Sequence, residues 1–230
     1  MNIMRTNTLY LVRHGENPAN ITKEFSYKRV DYSLTPKGVL QAEQTAELLK
    51  KMPLDAIYSS PLKRAHETAQ SIARPHQLPV TIIEGFREIN VGDLEQMPPA
   101  EAAWRWHDEI IAAWGAGKLE TTFPGGENFL ELVERLHHGL LEVTRERTNQ
   151  RIVIAAHGGC ITALVHYFCP DASEKLTHAD MHNCAITEIE LITNGEEMSG
   201  SLRCWASIAH LSGEAAAVVT PVLEYEKMQR

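Results

Sequence analysis

The chain has 230 residues, of which 43% are hydrophobic and 23% charged, as is typical of a globular protein with a substantial buried core. Its net charge of −8, from 22 Lys and Arg against 30 Asp and Glu, argues against nucleic acid as the main partner. The apolar run at residues 9–12 is too short for a signal peptide, and no run approaches a membrane span, so we expect no membrane partner and a cytoplasmic location.

Strands alternate with helices along most of the chain. Short apolar runs predict four strands, at residues 9–12, 54–58, 80–83 and 152–156. Apolar residues at helical spacing predict five helices, at residues 36–52, 61–73, 99–114, 129–147 and between the fourth strand and residue 168. Further along, residues 184–191 and 202–208 alternate as strands around a hairpin at 195–200, and 218–223 is a candidate edge strand.

Two helix starts carry the same local signal. Thr35 before Pro36 is a typical N-cap with proline in the first turn, and Ser59-Ser60-Pro61 predicts a second start of this kind. Residues 16–34 and 85–98 lack periodicity and are predicted to be loops.

The alternation predicts an α/β fold with a mostly parallel central sheet and helices on both faces, a three-layer α/β/α arrangement. No repeat or linker interrupts it. We therefore expect a single catalytic domain at residues 1–212, with a helical lobe around 97–147 over one end of the sheet and a C-terminal tail at 213–230.

The four cysteines contain no CxxC pair, which favours reduced, mostly buried thiols over disulfides or metal ligands. The spacing of His178, Asp180, His182 and Cys184 is compatible with a metal site, but no other feature supports one, and polar residues of a loop are the favoured interpretation.

Polar residues follow each of the first four strands. In open α/β sheets, ligands bind beyond the carboxyl ends of the strands, so these residues are expected to converge. They are Arg13 and His14, then Ser59, Ser60 and Arg64, then Arg87 and Glu88, and finally His157 and Gly158. The set has no metal-site pattern and no serine or cysteine triad, but it suits an anion, phosphate in particular.

Each residue type has a chemical task at such a site. Arg13 and Arg64 can bind phosphate oxygens in bidentate fashion. A neutral imidazole is a competent nucleophile toward phosphorus, and a second, protonated histidine can stabilise the transferring group. A carboxylic acid can protonate the leaving oxygen and then activate water. Gly15 and Gly158 would remove side-chain bulk where the backbone approaches the phosphate.

Several segments, in order, resemble the motifs of the histidine phosphatase superfamily, which contains phosphoglycerate mutases and fructose-2,6-bisphosphatases. The resemblance covers roughly residues 8–165. The segments are Arg13-His14-Gly15-Glu16, Asn20, Ser33-Leu34-Thr35-Pro36-Lys37-Gly38, Ser59 to Ala69, Glu88 before Val91-Gly92, Pro124-Gly125-Gly126-Glu127 and Ala156-His157-Gly158-Gly159.

The resemblance implies a phosphoglycerate mutase-like fold in which His14 becomes a phosphohistidine. Arg13, Arg64 and His157 would complete the phosphate pocket, and Asn20 would be a further contact. Glu88 would be the proton donor, although Glu84 and Glu95 lie nearby in sequence. No metal or cofactor is implied.

The sequence departs from the family pattern in regions that face the substrate. Asn17 replaces a commoner threonine or serine, loop 25–31 lacks its usual glycine, and Gln96 replaces a glycine. The tyrosine and paired arginines of cofactor-dependent mutases are absent; Trp104-Arg105-Trp106 stands in that region.

These observations predict a metal-independent phosphatase acting on a phosphate monoester, with a small phosphorylated metabolite as substrate. One alternative is a phosphoglycerate-type mutase. A second is a phosphate-binding or regulatory module with little turnover. A phosphoprotein substrate and a homo-oligomeric state are left open. Lys28, Arg29 and Lys63 either guide an anionic substrate or are solvated surface charges.

Overall fold

The computed structural model of the protein describes residues 3–97, 100–172 and 181–217. Six strands in these residues form one sheet. The strands are β1 (Met4–Arg13), β2 (Ala56–Ser59), β3 (Val80–Ile82), β4 (Arg151–Ala156), β5 (Ile186–Asn194) and β6 (Glu197–Ser207). The six predicted strands that fall within the described residues are confirmed, whereas the candidate edge strand at 218–223 lies outside them.

The sheet has the order β3-β2-β4-β1-β5-β6. The first four strands in this order run parallel, and β5 and β6 add an antiparallel edge. The sheet is therefore mostly parallel, as predicted. The hairpin between β5 and β6 is tighter than the predicted link, because β5 continues to Asn194 and β6 begins at Glu197.

Helices connect the strands and cover both faces. They are α1 (Pro18–Thr22), α2 (Pro36–Leu49), α3 (Lys63–Ala73), α4 (Ala100–Gly115), α5 (Phe129–Thr144) and α6 (Gly158–Phe168). Short 3₁₀ turns at Glu84–Phe86 and Gly92–Gln96 occupy the region after β3 that was predicted to be a loop. Pro99, the predicted first residue of α4, lies outside the described residues.

Alternation along β1 separates two apolar cores. Leu9 and Leu11 pack on one face in a cluster that includes residues of α4, α5 and α6. Tyr10 and Val12 point to the opposite face, where they pack with residues of α2 and α3. A strand that is apolar on both sides requires cover on both sides. The predicted three-layer α/β/α architecture is confirmed.

Helix starts show where local signals succeed and fail. Thr35 caps α2 as predicted, since its hydroxyl accepts from the Gly38 amide at 3.0 Å. The predicted start of α3 at residue 61 is wrong, because that helix begins at Lys63 and Leu62 caps it with no side-chain bond. The predicted loop at 16–34 contains α1, which Asn17 and Asn20 stabilise through a capping box.

The four cysteines are free thiols, as predicted, and three of them are buried. Burial raises the pKa of Cys160, Cys169 and Cys184 to about 12, so these thiols stay protonated at neutral pH. Among the described helices, none is both long enough and apolar enough to cross a membrane. The division into a domain at 1–212, a lobe at 97–147 and a tail at 213–230 stays a prediction.

Candidate active site

The two histidines singled out from the sequence lie side by side at the carboxyl edge of the sheet. Arg13 of β1 is in register with Ala156 of β4, so His14 and His157 leave the sheet at the same level. Their ring centroids are 5.2 Å apart. His14 is 3% exposed and His157 is fully buried at 0%. From the sequence, the proximity of the two histidines depended on the assumption that their strands run parallel. β1 and β4 are parallel neighbours, and the two rings lie side by side.

Hydrogen bonds define the tautomer of His14. Its Nδ1 lies 2.7 Å from the Gly15 carbonyl oxygen, which can only accept, so Nδ1 carries the proton. Its Nε2 is therefore the unprotonated nitrogen, and it accepts from Nε of Arg64 at 3.1 Å. This arrangement aims the lone pair of Nε2 at a guanidinium, which is where an anionic phosphoryl group would be bound.

The surroundings of His14 keep its ring neutral. Burial lowers its pKa well below the ordinary value of 6.5, and the nearby Arg64 and Arg13 cations lower it further. The hydrogen bond to Gly15 opposes these effects without reversing them. A neutral imidazole with one unprotonated nitrogen is the form that can attack phosphorus.

The backbone at His14 is held by residues that sequence reasoning missed. The Gly15 amide donates to Oγ1 of Thr68 at 3.0 Å, and Nδ2 of Asn183 donates to the His14 carbonyl at 3.0 Å. Thr68 and Asn183 are both buried. Thr68 lies within a segment already noticed for its motif. Asn183 had no sequence signal, because it comes from the far end of the chain.

Gly15 is required by packing. A Cβ at residue 15 would lie 2.5 Å from the carbonyl oxygen of Gly38 in the first turn of α2. A Cβ at Gly158 would meet Arg13 at 3.6 Å or more, an ordinary contact. Packing against α2 therefore accounts for Gly15, and the expected roles of Gly15 and Gly158 beside a phosphate stay predictions.

Arg64 projects into the site from the first turn of α3 and is 3% exposed. Its Nη1 and Nη2 donate to the hydroxyl and carbonyl of Ser26, at 2.8 and 2.7 Å. Burial lowers the pKa of Arg64 to about 10, so the guanidinium remains charged at neutral pH. Ser26 belongs to loop 25–31, which the family resemblance placed in a substrate-facing region without showing its contact with Arg64.

Arg13 also lies near the two histidines. Its Nη1 donates to the carbonyl of Met181, and its Nε lies 3.6 Å from the position of a Cβ on Gly158, the first residue of α6. Its cation lowers the pKa of both His14 and His157, and its contact with a phosphate stays a prediction.

His157 has one nitrogen paired and one unpaired. Its Nε2 lies 2.7 Å from the Ser60 hydroxyl, whereas its Nδ1 is buried and has no hydrogen-bond partner among the described residues. Burial lowers the pKa of His157 well below 6.5, and Arg64, His14 and Arg13 add to the effect. A buried nitrogen without a partner beside two arginines fits a bound anion that would complete its hydrogen bonding.

Glu88 is anchored at the start of α6. One carboxylate oxygen accepts from the amides of Ile89 and Cys160, at 2.9 and 3.1 Å, and the other accepts from Gly159 at 3.3 Å. The carboxylate raises the pKa of Arg64 against the effect of burial, which places its charge within reach of the phosphate pocket.

The two competing glutamates are engaged elsewhere. Glu84 pairs with Arg87, 3.1 Å away, and its side chain is largely exposed. Oε1 of Glu95 accepts from the four successive amides of residues 27–30, at 2.9 to 3.3 Å. Glu95 thus holds loop 25–31 in place, and Glu88 remains the candidate proton donor.

Gly159 is a residue that sequence reasoning quoted without assigning a task. A Cβ there would lie 2.7 Å from Cδ1 of Ile89 and 2.8 Å from Oε1 of Glu88. We expect Gly159→Ala to displace the Glu88 carboxylate and to lower kcat roughly 10- to 100-fold, since small misplacements of catalytic groups have effects of this size. Steady-state kinetics would check this. Gly115→Ala, with nothing within 4 Å of its new Cβ, should leave kcat unchanged. Equal kcat values for the two variants would contradict the role assigned to Gly159.

Asn20 lies at the edge of the site. Its Oδ1 accepts from the Asn17 amide at 3.1 Å and from Nδ2 of Asn183 at 2.9 Å. The side-chain oxygen of Asn20 is therefore hydrogen-bonded to residues close to the His14 backbone. Contact between Asn20 and phosphate stays a prediction.

Loop 25–31 borders a polar cleft, and none of His14, Glu88 and His157 lines it. This cleft of about 450 Å³ lies against loop 25–31, and its lining includes Tyr27, Lys28, Arg29, Arg87 and Asn90. Lys28 and Arg29 are exposed, as is Lys63. Their exposure agrees with surface charges and leaves open whether they also guide a substrate.

Trp104 is the tryptophan that approaches this region. Its ring lies 4.4 Å from that of Phe25, and its Nε1 donates to the Lys23 carbonyl at 2.7 Å. Trp114 is buried in the core, and Trp106 is 46% exposed. α4 thus contacts loop 25–31 through the rings of Trp104 and His107, which both lie against Phe25.

The metal-compatible spacing at 178–184 is only partly described. His178 and Asp180 lie outside the described residues. Nδ1 of His182 lies 2.7 Å from the Asn183 carbonyl oxygen. Among the described side chains, no group of three or more His, Cys, Asp or Glu is arranged to hold a metal ion.

Comparison with known proteins places this geometry in context. The family model of the histidine phosphatase superfamily (branch 1) matches residues 9–201. The protein named uncharacterized phosphatase PhoE of Bacillus subtilis (strain 168) is 33% identical over 203 residues, which cover 88% of this chain and 96% of that protein.

Two solved structures show the same fold. The alpha-ribazole phosphatase from Shigella flexneri has a TM-score of 0.68 at 26% identity, covering 87% of this chain and 96% of its own. The phosphoglycerate mutase from Bacillus anthracis str. Sterne has a TM-score of 0.74 at 18% identity, covering 90% of this chain and 95% of its own. The second likeness concerns the fold alone.

Proposed function

The chain belongs to branch 1 of the histidine phosphatase superfamily, and we propose that it hydrolyses a phosphate monoester through a phosphohistidine on His14. The observation that carries this proposal is the state of the His14 ring. Nδ1 is fixed as the donor to Gly15, and the unprotonated Nε2 faces Arg64 at 3.1 Å. The chain thus holds a neutral nucleophile against a cation that can bind the group to be attacked.

In the first step, Nε2 of His14 forms a bond to phosphorus as the bond to the ester oxygen breaks. Protonated Glu88 transfers its proton to that leaving oxygen. Arg13, Arg64 and His157 neutralise charge on the phosphoryl oxygens, with Asn20 and the Gly158 backbone as further contacts. His157 must gain its proton when the anion binds, because burial keeps it neutral in the empty pocket.

In the second step, Glu88 acts as a base. It takes a proton from water as the water oxygen bonds to phosphorus and the bond to Nε2 breaks. Inorganic phosphate leaves, and His14 returns to the neutral tautomer protonated on Nδ1. Water supplies the oxygen that bonds to phosphorus and the proton that restores Glu88, so the cycle ends with Glu88 and His14 in their starting states.

Enclosure of the site supports a small substrate. His14 and His157 are almost fully buried, and Ser26 of loop 25–31 contacts Arg64 directly. Phosphatase relatives act on small phosphorylated substrates. We therefore propose a small phosphorylated metabolite as the substrate.

A mutase is the second candidate, since solved neighbours include a phosphoglycerate mutase. A mutase must hold a second anionic group and protect the phosphoenzyme from water. The paired arginines used for this in cofactor-dependent mutases are absent from the sequence, and Arg105 of Trp104-Arg105-Trp106 is exposed. These features favour hydrolysis.

A screen of phosphomonoesters for phosphate release, run beside a phosphoglycerate mutase assay, tests the proposal. We expect hydrolysis of at least one small ester, with turnover unaffected by a strong chelator. Isomerisation of phosphoglycerate without phosphate release would favour the mutase. Activity abolished by the chelator and restored by a divalent metal would contradict the phosphohistidine mechanism.

A further inference from the structure

Arg135 of α5 divides its guanidinium donors between Glu127 and the backbone of the segment that carries Glu88. Its Nη1 donates to the carbonyls of Gly85 and Arg87, at 2.7 and 2.8 Å, and its Nη2 donates to the Glu88 carbonyl at 2.9 Å. Nε and Nη2 also form a bidentate pair with Glu127, at 2.8 and 2.6 Å. All five N–H groups of the side chain are therefore engaged.

Glu127 extends the same network past Glu88. Its Oε1 accepts from the Asn90 amide at 2.8 Å, and its own amide donates to the Asn90 carbonyl at 3.0 Å. Glu127 is 7% exposed, so the ion pair with Arg135 is sheltered from water. The backbone is thus bound on both sides of Glu88, from Gly85 to Asn90, by one pair of oppositely charged side chains.

We infer that Arg135 is a positioning residue that, together with Glu127, fixes the main chain of Glu88 so that its carboxylate meets the start of α6. The inference rests on the proposed role of Glu88 as proton donor. The carboxylate contacts amides of α6, while its Cα belongs to the turn after β3, so its location depends on how α5 holds that turn. The hydrogen bonds of Arg135 go to the backbone around Glu88 and to Glu127, so we expect it to act through Glu88.

Lysine cannot replace this guanidinium. An ammonium group has three donors on one atom, and it cannot serve three carbonyls and both oxygens of a carboxylate at once. Arg135→Lys therefore keeps the charge and the approximate length but releases part of the Glu88 segment. Arg147→Lys is a matched control, because Arg147 follows the same helix and its Nη1 donates to Oε1 of Gln150 at 2.7 Å, away from the site.

The leaving group of the substrate separates a positioning role from a general loss of stability. An alkyl phosphate such as glycerol phosphate needs a proton on its leaving oxygen. The leaving group of para-nitrophenyl phosphate is para-nitrophenolate, which departs as a stable anion without a proton. With Arg135→Lys, we expect kcat/KM, which reports phosphoryl transfer to His14, to fall about 10- to 100-fold for glycerol phosphate and by less than about 3-fold for para-nitrophenyl phosphate, since general acids contribute on this scale. Arg147→Lys should resemble the wild type on both esters.

A double variant tests whether Arg135 acts through Glu88. In a Glu88→Gln background, Arg135→Lys should cause no further loss on glycerol phosphate. Equal losses on both esters, or losses that multiply in the double variant, would overturn the inference. If Glu88→Gln alone shows no dependence on the leaving group, the proposed role of Glu88 fails, and the inference fails with it.

Folding is monitored by urea unfolding of each variant. If Arg135→Lys does not fold, Glu127→Gln takes its place, since it removes the ion pair while Arg135 and its carbonyl contacts remain. The same dependence on the leaving group, at smaller size, supports the inference, and equal losses on the two esters overturn it.

Discussion

Replacing His14 with alanine is expected to lower kcat by about 10⁴-fold or more, which is the scale seen when a covalent nucleophile is removed. No other described side chain presents a neutral, unprotonated nitrogen toward Arg64, the contact that Nε2 of His14 makes at 3.1 Å. The phosphoryl group then has no acceptor, and hydrolysis by water in the cationic pocket would account for any residual rate.

A rapid-quench experiment with a labelled phosphate ester measures this directly. The wild type should carry an acid-labile, base-stable phosphoryl group, and His14→Ala should carry none. His138→Ala is the matched control, because His138 is exposed on α5. Turnover by His14→Ala close to that of the wild type would show that the mechanism is wrong.

Replacing Arg64 with glutamine is expected to lower kcat/KM by about 10²- to 10³-fold, since one preorganised donor to a transferring group contributes on this scale. Burial is the main cause of the lowered pKa of His14, and the Arg64 guanidinium is the largest electrostatic cause. Without this cation the protonated form of His14 is less disfavoured, so its pKa rises toward 6.5.

The pH profile of kcat/KM reports that shift. Because His14 attacks only when neutral, activity falls as the pH drops through its pKa, and the acid limb should move to higher pH in Arg64→Gln. Arg74→Gln, an exposed arginine directly after α3, should leave the limb in place. An acid limb that stayed put or moved to lower pH would show that Arg64 does not control the protonation of His14.

Local patterns in the sequence identified most elements of the fold. Residues 9–12 and 152–156 are apolar throughout, which only a strand covered on both faces satisfies, and the structure has both as neighbouring parallel strands. Thr35 before Pro36 marked the start of α2 correctly. The same signal at Ser59-Ser60-Pro61 placed the start two residues early. The Ser60 hydroxyl lies 2.7 Å from Nε2 of His157 and accepts from the amide of Leu62, the residue before α3 begins.

Motifs identified the candidate chemistry but not its support. His14, Arg64 and His157 follow predicted strands and match a family pattern, so they were found from the sequence. Thr68 and Ser26 were not, although both make direct contacts to the loop or the side chains of the site. Thr68 lies inside the motif segment Ser59 to Ala69, but neither its residue type nor that of Ser26 shows which atom of the site it contacts.

The sequence by itself determined how strands and helices follow one another along most of the chain, which residues stand at the strand ends, and the family. The tertiary structure decided which groups hold them: Asn183 on the His14 carbonyl, Glu95 on loop 25–31, and Arg135 on the backbone of Glu88. The physical reason is the range of the interactions. Periodicity and capping act over a few residues, whereas these hydrogen bonds join segments 47 to 169 residues apart, which only the sheet register and helix packing bring together.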